Sequence, residues 1–275
     1  MAIWNKVLQK LNNNNTQQYE VVMLADKDGN IINTFGAASN IPIAAGEVDG
    51  YSNVHKFGMI DGSSGTDWST IWTAADTAST KNYPWGITAG TVSIISAVDN
   101  DTDGGAGAHT ITVEGLDANY NPVSESFTLS GETETGEGSI VFHRVNRAYI
   151  AGGNTNLGKI QIKNGTEVVA EIAAGMGQTQ MCVYTIPAGK TGYLTRVAAS
   201  SSKNISTVIS LFQRPHGQVF IRTASSMALY QNNQHISLDV PLPFSEKTDL
   251  DLRQLGASNN TIAADFNIIL VDNPS

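Results

Sequence analysis

The sequence holds a single cysteine, Cys182, so the 275-residue chain contains no internal disulfide and is not a small stapled scaffold. A chain of this length needs none, since it can bury about 75% of its unfolded surface. Cys182 sits in the alternating stretch QMCVYTI, with no nearby histidine, and reads as a small buried hydrophobe rather than a nucleophile. Charge is sparse as well. Only 15% of residues are charged, the net charge is −9, and no stretch is rich in Lys or Arg. Such a chain is a poor ligand for polyphosphate backbones, so nucleic acid is disfavoured as a partner. Apolar runs such as FNIILV are strand-sized, too short for a bilayer, and no membrane partner is expected. The opening MAIWNKVLQKL lacks the apolar core and cleavage site of a secretory signal. The expectation is a soluble product that stays where it is made, unless it leaves within a larger object.

Signatures of catalysis are also missing. The histidines at 55, 109, 143, 216 and 235 are scattered, and no pair has the spacing of a helical zinc site. There is no G-x-S-x-G elbow, and GGNTNLG (152–158) is not followed by a helix that could cradle phosphate. The acidic clusters ETETGE (132–137) and DLDL (249–252) read as a turn and an alternating strand face rather than a glycosidase pair. No catalytic residue and no cofactor is expected.

What the sequence does have is alternation. HTITVEGL and VSESFTL pair across DANYNP; GKIQIK and TEVVAEI pair over Asn164-Gly165; MCVYTI and TGYLTRVAAS flank Pro187–Lys190. STVISLFQRP, QVFIRT, HISLDVP, TDLDLRQL and TIAADFNIILVD follow. Short alternating strands separated by turn residues predict an all-β chain of two antiparallel sandwiches, Ig-like or jelly-roll-like. The expected division is an N-terminal arm and hairpin (1–49), a first sandwich (50–175) and a second (176–275). The arm places Ile3, Val7, Leu8 and Leu11 at helical spacing with Trp4 alongside, followed by a polar run and a hairpin at Lys27–Asn30. A helix so short is marginal alone and must dock on something.

Two features invite a site. In DNDTDGGAGAH (99–109), Asp99, Asp101 and Asp103 alternate ahead of Gly104, as a calcium loop begins. The twelfth position, which should carry a bidentate carboxylate, is Thr110, and the flanks read as strands. The three aspartates are therefore the residues a cation would use, but the stretch reads as a solvated hairpin connection. The second feature is aromatic: Trp68, Trp72, Tyr83 and Trp85 fall in an irregular region. With Trp4, these tryptophans are candidates for a subunit interface or a sugar-stacking platform, against packing of the irregular region itself.

Several phrases are more specific in combination. GLDANYNPVSESFTL, RVNRAYI, YTIPAGKTGYL, VPLPFSEKTDLDLR and NIILVD resemble a recurring virion structural protein of tailed bacteriophages, especially marine ones, over about residues 50–273. The resemblance implies a non-enzymatic part of the particle, on the head, neck or tail, and carries over no catalytic residues. Its implied location is the virion, assembled in the host cytoplasm. The expected partners are the chain itself, as a homotrimer, and the major capsid protein or other virion proteins. A head decoration or cement protein is the first expectation; a neck, collar or tail-fibre component and a host-glycan-binding module are the alternatives.

Overall fold

Alternation of β-branched and small polar residues, punctuated by glycine and Asx turns, produces strands almost throughout. The computed structural model describes residues 40–61, 65–76, 81–203, 206–256 and 260–274. The expected N-terminal helix, the hairpin at Lys27–Asn30 and Trp4 lie outside the described residues. The chain divides after Ser52. In the first unit, the described part contains a one-turn helix, α1 (Asn40–Ala44).

The second unit, Asn53–Ser275, carries the sheets. Its strands are β1 (Tyr51–Ile60, which begins in the first unit), β2 (Gly65–Thr70), β3 (Ser93–Ser96), β4 (Ala108–Leu116) and β5 (Pro122–Thr128). There follow β6 (Arg144–Gly153), β7 (Ile160–Asn164), β8 (Glu167–Ile172), β9 (Val183–Thr185) and β10 (Lys190–Ser201). The last are β11 (Thr207–Arg214), β12 (Ile221–Leu229), β13 (Asn233–Phe244), β14 (Asp249–Gly256) and β15 (Ile262–Asp272). They form four sheets, ordered β1-β15-β10-β13, β12-β11-β14-β2, β3-β7-β8 and β5-β4-β6, with β9 added on β14.

The local hairpins are where alternation and turn residues place them. β4 and β5 pair from Thr110↔Thr128 to Leu116↔Pro122. The Asp117 carboxylate closes their turn by accepting the backbone N–H groups of Asn119 and Asn121 at 2.8 and 2.9 Å. β7 and β8 pair across Gly165-Thr166, one residue past the expected Asn164-Gly165, and Gly165 takes the positive φ that such a two-residue turn requires.

Two expectations are corrected. The stretch after β3 is not a hairpin: β3 pairs with β7, and β4 pairs with β5 and β6, so residues 97–107 cross between sheets. The boundary expected at 175/176 also does not separate the sheets. β2 pairs with β14, and β1 lies beside β15, so strands from before the boundary complete sheets built after it. One hydrophobic cluster runs from Ile60 to Leu270 and draws on all four sheets. Adjacency in sequence predicts hairpins, whereas these pairings join segments about 190 residues apart and leave no local signature.

Candidate functional site

The aspartate stretch is best understood from its middle residue. Asp101 is fully buried, and its two oxygens accept four donors. Oδ1 takes the N–H groups of Ala108 (3.0 Å) and Leu157 (2.9 Å); Oδ2 takes the Gly158 N–H (2.9 Å) and the Ser96 hydroxyl (2.7 Å). Burial opposes ionisation, yet the donors from Leu157, Gly158, Ser96 and Ala108 outweigh it and hold the carboxyl below the usual aspartate pKa. The expected solvated tip is therefore corrected: Asp101 is a clamp tying the end of β3, the start of β4 and the 154–158 turn. Asp99 and Asp103 remain exposed. The three do not converge, and among the described residues no group of three or more His, Cys, Asp or Glu is placed to hold a metal.

The clamp also explains the glycines. A Cβ on Gly107 would stand 2.1 Å from Asp101 Oδ1, and one on Gly105 would stand 2.3 Å from the Asn100 carbonyl. Both positions are small because a carboxylate and a backbone turn fill the space.

The aromatic group is mostly core. Trp72 and Trp85 are buried, with Tyr83 between them at centroid distances of 5.7 and 4.6 Å. Trp85 Nε1 donates to Asp251 Oδ2 at 2.8 Å, and Arg144 and Arg214 lie against its ring at 5.4 and 5.7 Å. Trp72 Nε1 donates to the Lys81 carbonyl at 3.1 Å. Burial leaves no open face on Trp72 or Trp85 for a sugar, which corrects the stacking platform at those two positions. Trp68 is half-buried, edge-on to Phe212 at 5.1 Å.

Beneath these rings the DLDL segment places two carboxylates on one side of β14. Asp249 accepts Arg144 Nε at 3.0 Å, Arg214 Nε at 2.8 Å and the Thr185 hydroxyl at 2.6 Å. Asp251 accepts Arg253 Nε at 2.8 Å and the Thr70 hydroxyl at 3.1 Å besides Trp85. Its Oδ1 has no partner, and burial pushes its pKa up. The sequence signal was the alternation itself: acidic residues alternating with leucine over 249–252.

One further place escaped the sequence reading. A groove of about 720 Å³ runs along β1 and the ends of β4, β5 and β6, lined among others by Lys56, Phe57, Glu114, Arg147, Gln178 and Tyr184. Lys56 is buried, donates from Nζ to the Asn146 carbonyl, and is lowered by burial to a pKa of about 8. Arg147 donates to Gln178 Oε1 at 3.0 and 3.2 Å, faces Glu114 at 3.7 Å and stacks on Tyr149 at 4.5 Å. The available signal was parity: Lys56 shares its side of β1 with Gly58 and Ile60, all three buried. A polar groove with one buried ammonium can hold an anionic or hydroxyl-rich group; no nucleophile–base pair accompanies it among the residues named.

No described protein family matches the sequence, and no curated protein sequence is similar to it, so the resemblance read from its phrases rests on those phrases. Among solved structures, the chain is similar to one of the infectious bursal disease virus Gx strain: 6% identity, 82% of this chain and 76% of that chain, TM-score 0.20. It is similar to the VP2 subviral particle of infectious bursal disease virus, at 9% identity over 81% and 72% of the chains, TM-score 0.19. It is also similar to a protein of Parabacteroides distasonis, at 11% identity over 83% and 91%, TM-score 0.18. At such scores these likenesses carry no argument about fold or function.

Proposed function

We propose that the chain is a non-enzymatic structural component of a virion, acting as a head decoration or cement protein, associated with itself as a homotrimer and seated on the major capsid protein. The observation that carries this reading is the employment of its charged groups. Asp101, Asp249, Asp251, Arg144 and Arg214 each bond to other parts of the same chain and hold strands together. Side chains that looked like chemistry in the sequence are spent on rigidity. The phage-like phrases support the same reading, and several fall on strands and turns of these sheets, among them RVNRAYI on β6 and the segment from β13 into β14. The mechanism is burial of interface between shell subunits, about 1,600 Å² for a standard contact, repeated over a lattice.

The test is the position and copy number of the chain in intact particles, by quantitative mass spectrometry and image reconstruction. Decoration requires a number that scales with the shell subunits. A single ring at one vertex makes it a neck, collar or tail component, and absence from the particle overturns the reading. The polar groove beside Lys56 favours one other reading, a glycan-binding module. Glycan-array binding that is lost in Gln178→Ala would support it.

A further inference from the structure

Two sheets, β1-β15-β10-β13 and β12-β11-β14-β2, line one groove with their end strands. β13 and β12 are the outer strands of the two sheets, and between them lies a groove of about 230 Å³. Its walls are apolar and come from both sheets: Leu194 and Val197 on β10, Ile209 on β11, Met227 on β12, Leu238 and Val240 on β13. These are core-type side chains, yet Val240 is 82% exposed and Leu242, also in the wall, is 38% exposed. Just before β12 and at its first position, Val219 (76%) and Ile221 (47%) are exposed. Apolar side chains gathered at a sheet edge mark a contact surface.

The edge does not invite an added strand. Between the pairs Leu194↔Leu242 and Arg196↔Ser237, four residues of β13 stand opposite the single Thr195, and Pro241 and Pro243 lack N–H donors. Contact here is made by side chains entering the groove. Charge selects the occupant. Residues 215–247, which contain both end strands β12 and β13, carry Arg222 and Lys247 against Asp239 and Glu246 and are neutral, whereas the chain is at −9. Charges farther apart than about 8 Å are screened at physiological salt, so two such acidic chains meet with least repulsion through this neutral edge. The edge also supplies both halves of a contact, a groove and an exposed apolar ridge.

We propose that this edge is the surface through which the chain binds a second copy of itself, the Val219–Ile221 ridge of one copy entering the β12–β13 groove of the next. Repeated head to tail, such a contact gives a closed ring where the rotation between copies closes and an open filament where it does not. It gives a surface to the self-association proposed above and rests on that part of the reading alone, not on the virion assignment.

The test is light scattering on the full chain across the micromolar range, for the wild type, Val240→Asp, Ile221→Asp and the control Met176→Asp, an exposed apolar residue outside this edge. The expected result is a concentration-dependent oligomer whose dissociation constant rises at least about tenfold in the first two variants and not in the control. Circular dichroism checks that the exposed substitutions leave the fold intact. A wild type that stays monomeric overturns both surface and self-association. Oligomers unchanged in both edge variants overturn the surface alone. Hydrogen exchange at 236–242 adds an independent readout: protection should rise with concentration. Protection that is independent of concentration and lost in Leu8→Asp would assign the groove to the chain's own N-terminal segment and overturn the proposal.

Discussion

Arg144 on β6 donates to Asp249 on β14 through Nε at 3.0 Å and a second nitrogen at 3.3 Å, and both side chains are buried. The pair joins strands 105 residues apart and lies on opposite sides of the boundary expected from sequence. Asp249 also holds Arg214. Removing the carboxylate in Asp249→Ala strands a buried guanidinium, and the expected loss is about 3–5 kcal/mol in urea unfolding. A loss under about 1 kcal/mol would put the pair in the class of surface bridges and sink the idea.

The Asp101 clamp predicts two separable effects. Asp101→Asn turns one acceptor toward N–H donors, leaving buried groups unpaired, with an expected cost of about 2–4 kcal/mol. The carboxyl's pKa is lowered in the fold, so its contribution is present above the unfolded aspartate value of about 3.9 and is lost as pH falls through the lower folded value. Acid unfolding of the variant should therefore be shallower than that of the wild type. Addition of chelator should leave the melting temperature of the wild type unchanged; a drop would restore the cation reading.

The glycines beside it differ in cause. Gly107→Ala puts a methyl 2.1 Å from Asp101 Oδ1, so the clamp must open. Gly104 has φ +73° with nothing near its Cβ position, and alanine there meets only backbone strain, about 1 kcal/mol. Thermal melts should rank Gly107→Ala as clearly the more damaging. The reverse order would remove the close approach as the reason for glycine at 107.

Lys56 predicts a rise in stability with pH. Its folded pKa, about 8, lies below the ordinary lysine value of 10.5, so between these values the unfolded state binds the extra proton. Stability then increases as pH climbs above about 8. Cys182 works the other way: burial raises its thiol pKa, so above the ordinary cysteine value of 9.0 the unfolded chain loses a proton that the fold keeps. The clean window is therefore pH 8 to 9. Lys56→Met should flatten the unfolding free energy across it. A slope that survives in the variant would move the cause to another group.

Trp85→Ala should destabilise by about 3–5 kcal/mol, the range for a buried aromatic, whereas half-buried Trp68 should tolerate the same change at smaller cost. Paired melting curves decide it. Equal tolerance at the two positions would return Trp85 to the list of accessible stacking surfaces.

How much could be read beforehand divides by range. The β4–β5 and β7–β8 hairpins were legible to within a residue because their information is local: alternation, then Asp117 or Gly165 at the turn. The same rule misled at 97–107, where two strands adjacent in sequence belong to different sheets. Nothing local distinguishes a hairpin loop from a crossover when both are polar and glycine-rich. Lys56 was in plain view at an inward position of β1, but parity alone does not say that a lysine is buried without a partner strand in place. The tryptophans stand out in the sequence, but the burial of Trp85 depends on Asp251, Arg144 and Arg214, residues far along the chain.

The sequence by itself determined that this protein is built of antiparallel strands without disulfides, and where its short turns fall, because side-chain alternation and turn chemistry act over a few residues. Only the tertiary structure decided that β1 and β2 complete the sheets of the C-terminal half, that Asp101 is a buried clamp and that an apolar groove lies between β12 and β13. Those outcomes depend on which distant surfaces meet, and a carboxylate is buried or solvated according to the donors that long-range packing brings to it.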